Sequence, residues 1–211
     1  RSPRYRAGDT RGWKLREARL RMSEDPAWKD HIHTCWYRPF DRRVVYWTDW
    51  MIDWPRGELT RYLVQPGNVA LVARRQMLPD QPRNYFWIAD SLALDGLIRS
   101  DNRGSEYLFP LFLGHSASRS HPAAHVNLAD EFIIRAACRL GLQWVPVGQG
   151  DLQDAFGPLD LLHYIYAQFF SNAYRGLYAA ELLSDFPRVF LPADTALFAE
   201  LCRCGQRLAE Q

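Results

Sequence analysis

Residues 68–76 read Asn-Val-Ala-Leu-Val-Ala-Arg-Arg-Gln. Five consecutive apolar residues followed by three polar ones are too short a run for a helix of ordinary length, and they read as a compact apolar strand over 68–74. The run ends at Arg74-Arg75-Gln76 and gives way to a proline-rich loop over 77–84. Outward from this strand, 85–89, 96–99 and 107–113 read as further strands, separated by the polar turns 77–84 and 100–106. The middle third is therefore β.

On the N-terminal side, Asp9 or Thr10 can cap a helix reaching about Met22, and Asp25-Pro26 can open a second short one. Segments 33–38 and 43–47 read as strands broken by Pro39-Phe40-Asp41, and Pro55 can open a helix ending near Leu63. The C-terminal third reads as helical. Asn127 can cap a helix closed by Gly141, Gly157-Pro158 opens an apolar helix over 159–170, Ser171 caps the next to about Leu183, and Asp194 or Ala193 begins a last one to about Ala209. These patterns predict an α+β chain: a mixed lobe over 1–120 and a helical lobe over 121–211.

The bulk numbers agree with a folded domain. The 211 residues are 47% hydrophobic and 24% charged, and no apolar run reaches the length of a membrane span. The chain opens on Arg1 and is expected to be part of a larger protein. Its four cysteines make no disulfide framework, which fits a reducing cytoplasm. Net charge is +2 but unevenly spread: residues 1–61 hold 14 Lys/Arg against 9 Asp/Glu, and residues 120–211 hold 6 against 10. The basic part can face a polyanion. Only Lys14 and Lys29 are lysines among 26 basic residues, and arginine suits forked contact with phosphate or guanine. An arginine-rich codon usage produces the same bias.

Several stretches together resemble one family. They are Thr10-Arg11-Gly12-Trp13-Lys14, Tyr37-Arg38-Pro39-Phe40-Asp41-Arg42-Arg43, Asp53-Trp54-Pro55-Arg56, the run 68–76, Tyr107-Leu108-Phe109-Pro110-Leu111-Phe112-Leu113, Phe156-Gly157-Pro158, His163-Tyr164-Ile165-Tyr166-Ala167, Tyr174-Arg175 and Asp185-Phe186-Pro187-Arg188. In this order, over about 10–200, they resemble the C-terminal specificity region of type ISP restriction–modification enzymes and related adenine methyltransferases. The resemblance implies a target-recognition region that reads duplex DNA. In the family it lies in cis to a gamma-type amino-methyltransferase domain that flips out an adenine and methylates it with S-adenosylmethionine. Some members add a nuclease and a helicase-like translocase. This chain has no Asn-Pro-Pro-Tyr and no glycine-rich cofactor loop, so no catalytic residue and no cofactor is expected within it. Asn172 stands where relatives often place proline.

A DNA reader needs cations for phosphates and forked polar groups for base edges. Arg74, Arg75 and Gln76 supply both at a strand end, or else form a solvated strand end. Ser100, Asn102, Arg103 and Ser105 lie in a polar loop with Gly104, and Arg83 lies in the loop 81–84. Arg42 and Arg43 follow Pro39-Phe40-Asp41, where Tyr37, Pro39 and Phe40 are expected to set a core corner and Asp41 to tie down Arg38. Arg11 and Lys14 stand at a helix start. Two other readings stay open. One is a structural module that packs on the methyltransferase domain. The other is a metal-dependent nuclease around His31, His33 and Cys35, which alternate along a strand but lack an evident fourth ligand.

Overall fold

The computed structural model describes residues 9–10, 12–53, 56–64, 67–79, 81–99, 106–114 and 125–211. In chain order the elements are α1 (Leu15–Glu24), β1 (Ile32–Arg38), β2 (Asp41–Tyr46), α2 (Gly57–Val64), β3 (Ala70–Arg74), β4 (Phe86–Ala89), β5 (Leu92–Ala93), β6 (Glu106–Pro110), β7 (Phe112–Leu113) and β8 (His125–Val126). There follow α3 (Asp130–Leu140), β9 (Gln143–Trp144), β10 (Ala155–Phe156), α4 (Pro158–Phe170), α5 (Asn172–Leu177), a 3-10 turn at Glu181–Leu183 and α6 (Thr195–Ala209). The class is α+β, as the sequence predicts.

The 68–76 run sets the architecture. β3 is the central strand of an antiparallel sheet ordered β4-β3-β6, with Val72 opposite both Trp87 and Leu108. Because side chains alternate across a strand, each face of β3 buries a different layer. Leu71 and Ala73, with Phe86 and Ile88 of β4, meet the helices, where the Phe86 and Phe169 rings lie 4.8 Å apart. Ala70 and Val72 meet a second sheet, ordered β2-β1-β5, and α2, through Cys35, Leu63, Leu92 and Trp36. A strand covered on both faces has no use for polar alternation, which is why its sequence is uniformly apolar.

The helical layer is built around α4. Leu161, Leu162, Tyr164, Ile165, Tyr166, Ala167 and Phe169 are all buried, as expected of a helix apolar on every side. Asp160, also buried, accepts from the Gly157 and Gly150 amides at 2.8 and 2.7 Å and so caps the helix start. α6 crosses α4 closely enough that Gly205 leaves no room for a Cβ against the His163 carbonyl. The largest core joins Ala73, Tyr85 and Phe86 to Leu140, Phe169 and Phe198, and so it crosses position 120.

Several local expectations are corrected. No helix forms after Asp25; its carboxylate takes the Ala27 amide at 2.9 Å and makes a turn. The segment 96–99 is a turn, with Gly96 at φ 75°, and the strand there is β5, paired parallel to β1. Asn127 does not cap α3; its side-chain amide donates to the Pro110 carbonyl at 2.9 Å, and Ala129 stands at the cap. Ser171 and Asp194 do cap, accepting from the Tyr174 and Leu197 amides. The two-residue strands β8, β9 and β10 carry no sequence signal long enough to predict.

Candidate nucleic-acid interface

At the end of β3 the alternation that buries Ala70 and Val72 carries Arg74 inward as well. Its side chain is 5% exposed, its Nη1 lies 3.9 Å from Glu106 Oε1, and its guanidinium sits 5.9 Å from the Tyr85 ring centre. In this structure Arg74 is thus an internal cation and not the exposed side chain that the sequence reading gave it as a base reader. Glu106 Oε1 also accepts the Arg99 amide at 2.9 Å, and Arg99 Nη1 donates to the Tyr85 hydroxyl at 3.0 Å. Burial pushes the Glu106 carboxyl above its ordinary value, and the Arg99 amide and Arg74 charge only partly oppose this. Arg74, Tyr85, Arg99 and Glu106 thus form one knot. It fixes the start of the 75–84 loop, the return of that loop into β4, and both flanks of 100–105. Ser100, Asn102, Arg103 and Ser105 lie outside the described residues, as does Arg11.

Arg75 points the other way. Its side chain is 58% exposed, with Nε 3.3 Å from Asp185 Oδ1. The Phe186 amide holds the Asp185 carboxyl below its ordinary value; burial works against this, and Arg75 adds to the lowering. Gln76 donates to the Ser184 carbonyl at 3.4 Å, Met77 to Leu182 at 3.0 Å and Arg83 to Ala179 at 3.2 Å. The loop is thereby laced to the segment 179–185. Phe186, beside this segment, meets the half-exposed rings of Tyr107 and Phe109 edge-on at 4.9 and 5.9 Å.

A second basic corner is the β1–β2 hairpin. Arg42 reaches both Asp90 oxygens at 2.7 Å while its guanidinium stacks 4.2 Å from the Trp36 ring centre, and Trp36 Nε1 donates to the same carboxylate at 3.0 Å. Burial works to raise the Asp90 carboxyl, but these hydrogen bonds win and leave it below its ordinary value. Arg43 and Arg38 lie 3.8 and 4.3 Å from the Tyr37 ring centre. Asp41 binds Arg43, not Arg38 as expected. Nor does Phe40 enter the core: it is 74% exposed at φ 62°. Lys14 precedes α1, half-exposed, 3.7 Å from Asp9.

The His31, His33 and Cys35 trio makes no metal centre. His31 Nδ1 lies 2.7 Å from Asp25 Oδ2, which also accepts the Tyr46 hydroxyl, and Cys35 is buried in the apolar layer beneath β1. Among the described residues, no group of three His, Cys, Asp or Glu side chains could hold a metal ion. No helix among them is long and apolar enough to cross a membrane.

The fold is an α+β domain whose central sheet is covered by helices on one side and by a second sheet and α2 on the other, with an arginine corner at the end of β3 and another at the β1–β2 hairpin. The model of the type ISP C-terminal specificity domain matches residues 3–211, and the chain belongs to that family. No curated protein matches it in sequence. Among solved structures it is similar to a DrdV–DNA complex, with 19% identity, a TM-score of 0.59 and 86% of this chain covered. It is also similar to the type ISP enzyme LlaBIII bound to DNA, with 15% identity, a TM-score of 0.60 and 93% covered. A nuclease-deletion mutant of the type ISP enzyme LlaGI with a DNA substrate mimic gives 18% identity, a TM-score of 0.54 and 86% covered. The matches take in 16%, 12% and 13% of those solved chains, so this chain corresponds to a small part of each.

Sequence reasoning missed Tyr85, Asp90, Arg99 and Glu106, which hold the candidate residues in place. The signal for Arg74 is present in the run itself. A strand apolar on both faces has no exposed side for its last residue.

Proposed function

We propose that this chain reads a short duplex DNA sequence for a restriction–modification enzyme whose methyltransferase domain, in cis, uses S-adenosylmethionine to methylate adenine. The work would be done in the cytoplasm, where the DNA is. The observation that carries the proposal is the Arg74–Tyr85–Arg99–Glu106 knot, which roots the 75–84 loop and the flanks of 100–105 in one corner of a rigid sheet. A reader needs several side chains held at one place on the duplex, and rigid elements hold them better than free loops.

The proposed readers are Arg75, Gln76 and Arg83, with Ser100, Asn102, Arg103 and Ser105 of the adjacent loop. Arg42, Arg43, Arg11 and Lys14 would meet phosphates. Among the described residues, Arg75 is held only by an exposed carboxylate, and a phosphate or guanine edge can replace that partner. The helical part is acidic and exposes Ile134 and Leu177 (64% and 74%), which suits packing against the methyltransferase domain better than DNA.

The test is methylation-site mapping in cells making the full-length enzyme, wild type against an Arg75→Ala/Gln76→Ala/Arg83→Ala variant. Loss or relaxation of a defined adenine motif, with the protein still folded, is the expected result. An unchanged motif removes these three residues from the reader. A wild type that methylates no motif overturns the reading as a whole.

A further inference from the structure

Phe40 is the residue whose placement the fold itself does not explain. It follows Pro39 at the tip of the β1–β2 hairpin, with its backbone in the left-handed region at φ 62°. Bulky side chains avoid that region, and glycine or asparagine serves a turn there at lower cost. The strained turn does not bury the ring, which remains 74% exposed.

What lies behind the ring is stiff. Phe40 meets Trp87 edge-on at 5.0 Å, and Trp87 meets Trp36 edge-on at 5.3 Å. Phe40 is thus the exposed member of three rings in edge-on contact, backed by Trp87. Beside it stand Arg38, Arg42 and Arg43, their guanidinium groups stacked on Tyr37 and Trp36. Three cations against the carboxylates of Asp41 and Asp90 leave the tip positive, and the exposed Arg42 and Arg43 can exchange those carboxylates for phosphates. A projecting apolar ring on a rigid base, with phosphate-binding groups on either side, is the layout of a side chain that enters a base step and partly unstacks it.

We infer that Phe40 is a DNA wedge: its ring enters one base step of the bound duplex while Arg42 and Arg43 hold the flanking phosphates. The inference rests on the DNA-reading role proposed above. It adds a deformation of the duplex, so base steps that unstack readily are preferred at that position even though no side chain reads their edges.

The experiment uses the full-length enzyme and a series of duplexes carrying 2-aminopurine at successive positions across the methylated motif. Wild type is expected to raise the fluorescence severalfold at one step apart from the methylated adenine. Phe40→Ala and Phe40→Gly lose that rise, keep any rise at the methylated adenine, and keep the melting temperature of the free enzyme, glycine relieving the turn. Phe40→Leu retains part of the rise. A rise that persists in both small-residue variants overturns the wedge. So does a fall in the melting temperature of the DNA-free enzyme in both, which instead places the ring against another part of that enzyme. Failure of the wild type to bind the duplexes at all overturns the DNA reading and the wedge with it, an outcome distinct from the first two.

Discussion

The end of β3 and the tip of the β1–β2 hairpin are both arginine corners, and they are built in opposite ways. At the strand end, one arginine is inside against a buried carboxylate, and the next is outside, laced to the helical layer through Asp185. At the hairpin tip, Arg42 and Arg43 are both half-exposed, and aromatic faces and half-exposed carboxylates, not burial, hold them in place. The difference follows from what covers each strand. β3 is buried on both faces, so a residue on it is inside whatever its type. β2 is an edge strand with one open face, so charge is tolerated there. Two arginines adjacent in sequence can therefore do unrelated work, one structural and one available to a partner.

The sharpest way to separate them is Arg74→Ala against Arg75→Ala. Removing Arg74 leaves Glu106 buried without its cation, and breaking such a pair costs about 3–5 kcal/mol. Chemical denaturation should show a loss of that size for Arg74→Ala and a midpoint close to wild type for Arg75→Ala. Equal midpoints would mean that the buried pair contributes nothing, and the contrast between the two residues would collapse. The Arg75, Gln76 and Arg83 methylation test is the functional half of this comparison. It should abolish or relax the motif at little cost in stability, since the hydrogen bonds of Arg75 and Gln76 are exposed and that of Arg83 is half-buried.

The layered architecture was legible because its signals are long: the apolar run 68–74, the apolar helix opened by Gly157-Pro158, and the caps at Ser171 and Asp194. The site was legible only as a set of residue types. Arg74, Arg75 and Gln76 look alike in sequence, and what sorts them is a register with β6 that places Glu106 opposite Arg74. Phe40 shows the same limit from the other side. An aromatic next to proline reads as a core corner by composition, and only a left-handed turn at an open hairpin tip puts it outside. Partners such as Asp90, 48 residues from Arg42, are long-range facts that no local pattern carries.

At the hairpin, a smaller effect is expected. Each phosphate contact contributes a slope of about −0.9 to the dependence of log affinity on log salt, so Arg42→Ala should flatten the slope of the full-length enzyme by roughly one. Binding should weaken evenly across DNA sequences. Arg42→Lys should recover most of the slope, since a point charge suffices for a phosphate, while losing the stack on Trp36. A variant that weakens only the preferred sequence would make Arg42 a base reader and bring the hairpin closer in kind to the strand end.

The smallest effect concerns acidity. The folded Glu106 carboxyl sits above its ordinary value, so between the unfolded and folded pKa the native state holds a proton that the unfolded chain has lost. Stability should therefore fall as pH rises through that window, the reverse of what a carboxylate held below its ordinary value, such as Asp90, contributes. Glu106→Gln should remove that part of the slope in denaturation midpoints measured across the acid range. It should also lower the midpoint at neutral pH, because Arg74 then lies buried beside a neutral amide. Retention of the wild-type slope would show that the Glu106 carboxyl titrates alike in the folded and unfolded chains, with Arg74 and the Arg99 amide offsetting the whole effect of burial.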